Sequence, residues 1–110
     1  ADRAEGAGGT LVDLPRSWGL AQNVPNPFNP ATTIHYQIPA GEGAVSTRLQ
    51  IYDIAGRLVR DLVNQRQEPG YHTARWDGCD DAGRRASSGL YLYRLVAGDY
   101  EATRKMVLLQ

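Results

Sequence analysis

About seven short runs of alternating apolar and polar side chains, each cut off by glycine, proline or asparagine, leave this chain one class of fold. The clearest covers residues 33–39: Ile34, Tyr36 and Ile38 face one way, His35 and Gln37 the other, and Pro39 ends it. Residues 45–52 repeat the pattern with Val45, Thr47, Leu49 and Ile51 on one side. Residues 71–76 put His72, Ala74 and Trp76 on a common face, and residues 89–97 do the same with Tyr91, Tyr93 and Leu95. A short run at 19–22 precedes these, and 100–110 is the last. Only residues 57–63 are imperfect in period; Leu58 and Leu62 are apolar there, and a short helix is the alternative. No segment sustains a period of 3.6, and the runs recur at the roughly 8–12-residue spacing of sandwiches. The expectation is an all-β fold, an immunoglobulin-like antiparallel β-sandwich of about seven strands.

The connections carry matching turn chemistry. Residues 23–30 read Asn-Val-Pro-Asn-Pro-Phe-Asn-Pro, and three prolines in six positions force an extended, non-helical link. Asn26 and Asn29 suit local side-chain turns, and Phe28, the lone phenylalanine, suits a plug at the end of the core. Residues 53–56 read as a tight turn, Glu68-Pro69-Gly70 as another, and Gly98-Asp99 as a two-residue hairpin. Residues 77–88 form a polar loop holding Gly78 and Gly83. Residues 1–17 open with a small, polar, glycine-rich stretch and read as a flexible tail or linker, so that the folded domain is 18–110.

A chain of 110 residues makes one domain, which buries roughly two thirds of the surface its unfolded chain exposes. That supports one core and leaves little room for an enclosed active site. Twelve Lys and Arg balance twelve Asp and Glu, and the positives are scattered, so the footprint of a nucleic-acid binder is missing. The one cysteine, Cys79, excludes an internal disulfide. The core therefore rests on Trp76, the tyrosines and the aliphatics, each large side chain contributing about 1.5–3 kcal/mol when fully buried. No stretch approaches the ~18 apolar residues of a membrane-spanning helix. A start at Ala1 fits either a mature product after signal removal or a fragment of something larger, and both fit export.

Five motifs then carry a family resemblance in order along the chain. Asn26-Pro27-Phe28-Asn29-Pro30 with Thr32-Thr33-Ile34-His35-Tyr36 comes first, and Ile51-Tyr52-Asp53-Ile54-Ala55-Gly56-Arg57 second. Trp76-Asp77-Gly78 with Asp80-Asp81-Ala82-Gly83-Arg84 is third, and Ser88-Gly89-Leu90-Tyr91-Leu92-Tyr93-Arg94-Leu95 fourth. Thr103-Arg104-Lys105-Met106-Val107-Leu108-Leu109 closes the series. Together, over roughly residues 20–110, they resemble the C-terminal sorting domain of type IX secretion and the related immunoglobulin-like domain of flagellar hook-capping proteins. The resemblance implies an immunoglobulin-like sandwich at the C-terminus of a secreted or cell-surface protein, recognised by outer-membrane secretion machinery and often removed or anchored afterwards. It further implies that the last strand carries much of the sorting signal, which maps to Arg104, Lys105, Met106, Val107, Leu108, Leu109 and Gln110. The family frequently ends in Lys or Arg, whereas this chain ends in Gln110.

No catalytic set emerges, and the chain reads as a non-enzyme with no cofactor and no small-molecule substrate. His35 lies on the polar side of its run. His72 alternates with Ala74 and Trp76 as a satisfied, partly buried histidine would. Spacing sets neither beside Cys79 or a serine. Asp77, Asp80 and Asp81 share a glycine-bearing loop and are weak calcium candidates; their spacing departs from the EF-hand pattern, and turn capping explains them equally. Tyr36, Tyr52, Tyr91, Tyr93 and Tyr100 could stack against sugars, but the period-two placement of Tyr91 and Tyr93 favours the core. Two functions follow. One is a sorting or surface-anchoring module. The other is a structural subunit of an extracellular filament or assembly whose partners are copies of itself. In that case strands would be added through the N-terminal tail, with Leu11, Val12 and Leu14 as donor.

Overall fold

Pairing converts each alternating run into a strand with one wet and one dry face. The computed structural model describes residues 14–41 and 43–110. Among these lie seven strands and no helix: β1 (Gly19–Leu20), β2 (Thr32–Ile38), β3 (Val45–Asp53), β4 (Leu58–Gln67), β5 (Gly70–Trp76), β6 (Gly89–Ala97) and β7 (Tyr100–Leu108). They form two antiparallel sheets, one ordered β1-β2-β5 and the other β4-β3-β6-β7. This is the expected immunoglobulin-like sandwich. The expected hairpin at Gly98-Asp99 sets Ala97 opposite Tyr100.

The dry faces meet in one core. Ile34, Ile38, Leu49, Ile51, Trp76, Tyr93, Leu95, Met106 and Leu108 have no exposed surface. At one end Trp76 packs between Phe28, 5.6 Å away and tilted, and Tyr91, 5.5 Å away and edge-on. Phe28 is therefore the plug its position suggests.

Three elements differ from the sequence reading. The imperfect run at 57–63 is neither helix nor short: β4 continues to Gln67. Its register against β3 slips twice, between Leu49 and Gln50 and between Ile51 and Tyr52. Each slip accommodates an extra residue, Leu62 and then Val59, and both pack against the core. Two bulges are what spoil the period. β1 ends at Leu20, short of 19–22: Ala21 makes one more bond, to the His35 carbonyl, but the Asn23 amide turns to the Tyr93 hydroxyl and Val24 meets Thr33 only as an isolated bridge. β7 stops at Leu108, where Phe28 takes over the pairing as a parallel bridge.

The attachment of the chain reaches back to Pro15. Its carbonyl accepts from the Ala40 amide at 3.0 Å, and the Ser17 carbonyl accepts from the Gln37 side chain at 2.9 Å. Of the three residues named as a strand donor, Leu14 is half-buried, and Leu11 and Val12 lie outside the described residues.

Candidate recognition surface at the last strand

The two-residue turn before β7 decides which way each of its side chains points. Ala97 and Tyr100 face each other across it, so Tyr100, Ala102, Arg104, Met106 and Leu108 belong to the inner face. Met106 and Leu108 are fully buried, as that parity requires. Lys105 and Leu109 are exposed and Val107 is half-buried, on the opposite parity. Arg104 has inner parity yet is exposed, and its Nε reaches across to donate to the Leu20 carbonyl of β1. The seven residues named for sorting thus divide into two core anchors and five surface positions.

β7 is an edge strand, and an open edge invites foreign strands. The proline-rich segment closes the C-terminal half of it. The Gln22 amide donates to the Lys105 carbonyl at 2.7 Å. The Val107 amide donates to Asn26 Oδ1 at 2.9 Å. Phe28 then pairs by backbone on both sides, donating to the Val107 carbonyl at 3.0 Å and accepting from the Leu109 amide at 2.9 Å. The terminal Gln110 is stitched to the preceding loop, with its backbone amide on Ser88 Oγ at 2.8 Å and its side-chain oxygen on Arg85 Nε at 3.2 Å. Asn26 was expected to close a local turn; it reaches instead to a strand 81 residues away. Only the fold brings those groups together.

The aspartate loop closes a second edge. Asp81 donates its amide to the Val59 carbonyl of β4 at 3.0 Å, and its carboxylate accepts from the Asp61 amide at 3.1 and 3.2 Å. Arg60 bridges back to Asp77 at 3.4 Å and Asp81 at 3.6 Å. Asp77 caps the Cys79 amide at 2.9 Å, and Asp80 caps Ala82 and Arg84, each at 2.9 Å. The Arg84 amide, first among several donors, holds the Asp80 carboxyl below its usual range. The three calcium candidates thus serve three separate hydrogen-bonding tasks. Among the described residues no three His, Cys, Asp or Glu side chains are placed to share a metal ion.

The remaining candidates are equally dispersed. His35 is exposed; His72 stacks on Tyr36 at 5.4 Å with Nε2 2.8 Å from the Glu68 carbonyl. The Cys79 carbonyl accepts from Trp76 Nε1 at 2.8 Å, which fixes the indole. Of the five tyrosines weighed for stacking, Tyr36, Tyr91 and Tyr93 are buried, Tyr52 is half-buried with its hydroxyl donating to Gln50 Oε1 at 2.7 Å, and Tyr100 stacks on Trp18 at 5.1 Å. Sequence reasoning missed Asn23 and Thr32, two buried polar residues next to the clasp.

Comparison with known proteins agrees with this geometry. The family model of the FlgD Ig-like domain matches residues 24–101. Among curated proteins nothing matches. Among solved structures the chain is similar to dimeric latent PorU of Porphyromonas gingivalis, with 21% identity and a TM-score of 0.67 over 84% of this chain and 9% of that one. It is also similar to PorZ of the same organism, described as an essential bacterial surface component of the type IX secretion system. There the identity is 21% and the TM-score 0.53, over 86% of this chain and 12% of PorZ. The chain therefore spans about a tenth of each of these proteins, and at this identity the likeness is one of fold.

Proposed function

The chain belongs to the FlgD Ig-like domain family, and we propose that it works as a non-catalytic sorting or surface-anchoring module of a secreted protein, read by outer-membrane export machinery. The observation that carries this reading is the construction of the last strand. Its inner side chains complete the core, its edge is clasped by the chain's own proline-rich segment, and Lys105, Val107, Leu109 and Gln110 are left on the surface. A receptor would meet a fixed set of side chains, not a loose tail. The likeness to PorZ, a surface component of that secretion system, supports the setting.

The test is export of a reporter fused ahead of the module in a bacterium with a type IX system. The intact fusion should reach the cell surface. Lys105→Ala with Leu109→Ala, both exposed positions, should retain it inside while leaving thermal unfolding unchanged. Surface delivery of that double variant at the intact rate would refute the reading.

One observation favours the second reading, an assembly subunit. β5 (Gly70–Trp76) is an outer strand that pairs only with β2 among the described residues. Such an edge accepts an added strand, and the tail around Leu11, Val12 and Leu14 is the donor this reading names. A peptide of residues 8–16 should then shift β5 amide resonances, and an unshifted spectrum would count against it.

A further inference from the structure

Gly19 is a glycine that its own backbone does not require. It lies in β1 at negative φ, a conformation open to any residue. Glycine within a strand often marks a place where another group must come close. A Cβ here would stand 3.1 Å from Gln37 Cγ and 3.2 Å from its Cδ. Gln37 lies across the bare strand instead, and its Nε2 donates to the Ser17 carbonyl at 2.9 Å. The amide is thereby held in one orientation, with Oε1 left as an acceptor.

Beside it is a depression of about 270 Å³ on the outer face of the three-stranded sheet. Two cross-strand rows flank it: Gly19, Gln37 and Tyr71 on one side, Ala21, His35 and Thr73 on the other. Between them Leu20, Tyr36 and His72 form the floor. The side chains of that middle row belong to the inner face, so the floor is backbone. His35, Tyr71 and Thr73 are exposed, Tyr71 by 68%. Strands lie roughly 5 Å apart and successive rows on one face roughly 7 Å apart. An aromatic ring, an amide oxygen, an imidazole and a hydroxyl therefore border one opening the width of a six-membered ring.

The chemistry of the lining selects the occupant. It holds no Asp, Glu, Lys or Arg, so an ionic ligand would lose water and gain no counter-charge. An apolar chain would strip water from the amide oxygen, the imidazole and the hydroxyl without pairing them. A neutral pyranose meets both conditions. Its C–H face suits the Tyr71 ring, and its hydroxyls donate and accept at Gln37 Oε1, His35 and Thr73. We propose that this depression binds one neutral sugar unit of a glycan, with Tyr71 as the stacking wall and Gln37, His35 and Thr73 as the polar contacts. Gly19 and Ala21 keep the β1 side low, so the rest of the glycan runs out over that edge. The site lies on the sheet opposite β7, and the inference rests on neither functional reading above.

Amide chemical shifts of the full chain, titrated separately with cellohexaose, mannohexaose and chitohexaose, test this. At least one of these sugars should shift Gly19, Ala21, His35, Gln37, Tyr71 and Thr73 together, with a Kd of about 1 mM, the range of one shallow subsite. Tyr71→Ala, at an exposed position, should keep the fold and weaken that binding about tenfold. Tyr71→Phe should weaken it by less than about threefold, because the ring stacks and the hydroxyl is not needed. Gly19→Val should also weaken it by pushing Gln37 aside. If that variant loses the fold, Gln37→Ala takes its place. No shift with any of the three sugars at about 10 mM overturns the proposal. So do shifts confined to other residues, or a sugar that Tyr71→Ala binds as the wild type does. Galacturonate or inorganic phosphate binding the same residues more tightly overturns it too, since the site would then be one for anions.

Discussion

Asn23 links the clasp to the core through one side chain. It is 2% exposed, its amide donates to Thr32 Oγ1 at 3.0 Å and to the Pro25 carbonyl at 3.1 Å, and its backbone N–H donates to the Tyr93 hydroxyl at 2.9 Å. That hydroxyl in turn donates to the Ala21 carbonyl at 2.7 Å. A buried polar group left unpaired costs about 1–3 kcal/mol, so Asn23→Ala should lower stability by that much, read as a reduced urea midpoint at constant slope. Burial raises the pKa of Tyr93, and likewise of Tyr36, above the ordinary 10.0. The folded protein thus keeps these phenol protons to higher pH than the unfolded chain does. The stabilisation is complete below about pH 10 and is lost as pH climbs past it. Tyr93→Phe should lose about 1 kcal/mol at neutral pH, because Asn23 and Ala21 lose a partner, yet decline less steeply above pH 10. A variant whose alkaline melting curve parallels the wild type would contradict that assignment. None of this network is visible in the sequence. Tyr93 reads correctly as core from its alternation, but its polar partner is 70 residues away, and no local pattern couples them.

Two turns are built on one plan. Asp53-Ile54-Ala55-Gly56-Arg57 and Asp80-Asp81-Ala82-Gly83-Arg84 share the Asp-x-Ala-Gly-Arg pattern. In each the aspartate caps the amides two and four residues on, and the arginine pairs back to it. In each the glycine sits at positive φ, +85° and +83°, with nothing within 4 Å of an added Cβ. Alanine there meets no clash, only the left-handed backbone, which costs an L-residue about 1–2 kcal/mol. Gly56→Ala and Gly83→Ala should each lower stability by about 1 kcal/mol, and asparagine should recover part of it. Gly78→Ala should do more damage, because its Cβ would stand 2.7 Å from the Pro30 carbonyl as well. Equal melting temperatures for the three alanine variants would contradict this ranking. At this scale the strands were legible wherever alternation was clean, as in β2 and β6. β4 was blurred because Val59 and Leu62 are bulge residues, and a bulge adds one residue to a period of two. The aspartates were legible as turn caps; that their loop also seals the β4 edge was not.

At the scale of the molecule, the sandwich is held shut by its last strand. Met106 and Leu108 fill the core, and Phe28 fastens the strand from outside. Phe28→Ala removes a fully enclosed ring against Trp76, a loss of about 3–5 kcal/mol. It should also speed hydrogen exchange at Val107 and Leu109 before the β7 amides that bond β6, since these two bond to the proline-rich segment. Uniform exchange along β7 would show that Phe28 is packing alone and not a fastener. The overall architecture was readable from alternation, because an apolar face must find another layer. The clasp was not, because it joins side-chain and backbone groups about 80 residues apart. That separation also bears on synthesis. A nascent chain lacking residues 105–109 has no last strand for Gln22, Asn26 and Phe28 to clasp, however long ago those residues left the ribosome. Stalled before residue 105, it should remain open to protease, and it should become resistant only once residues 105–109 have been added.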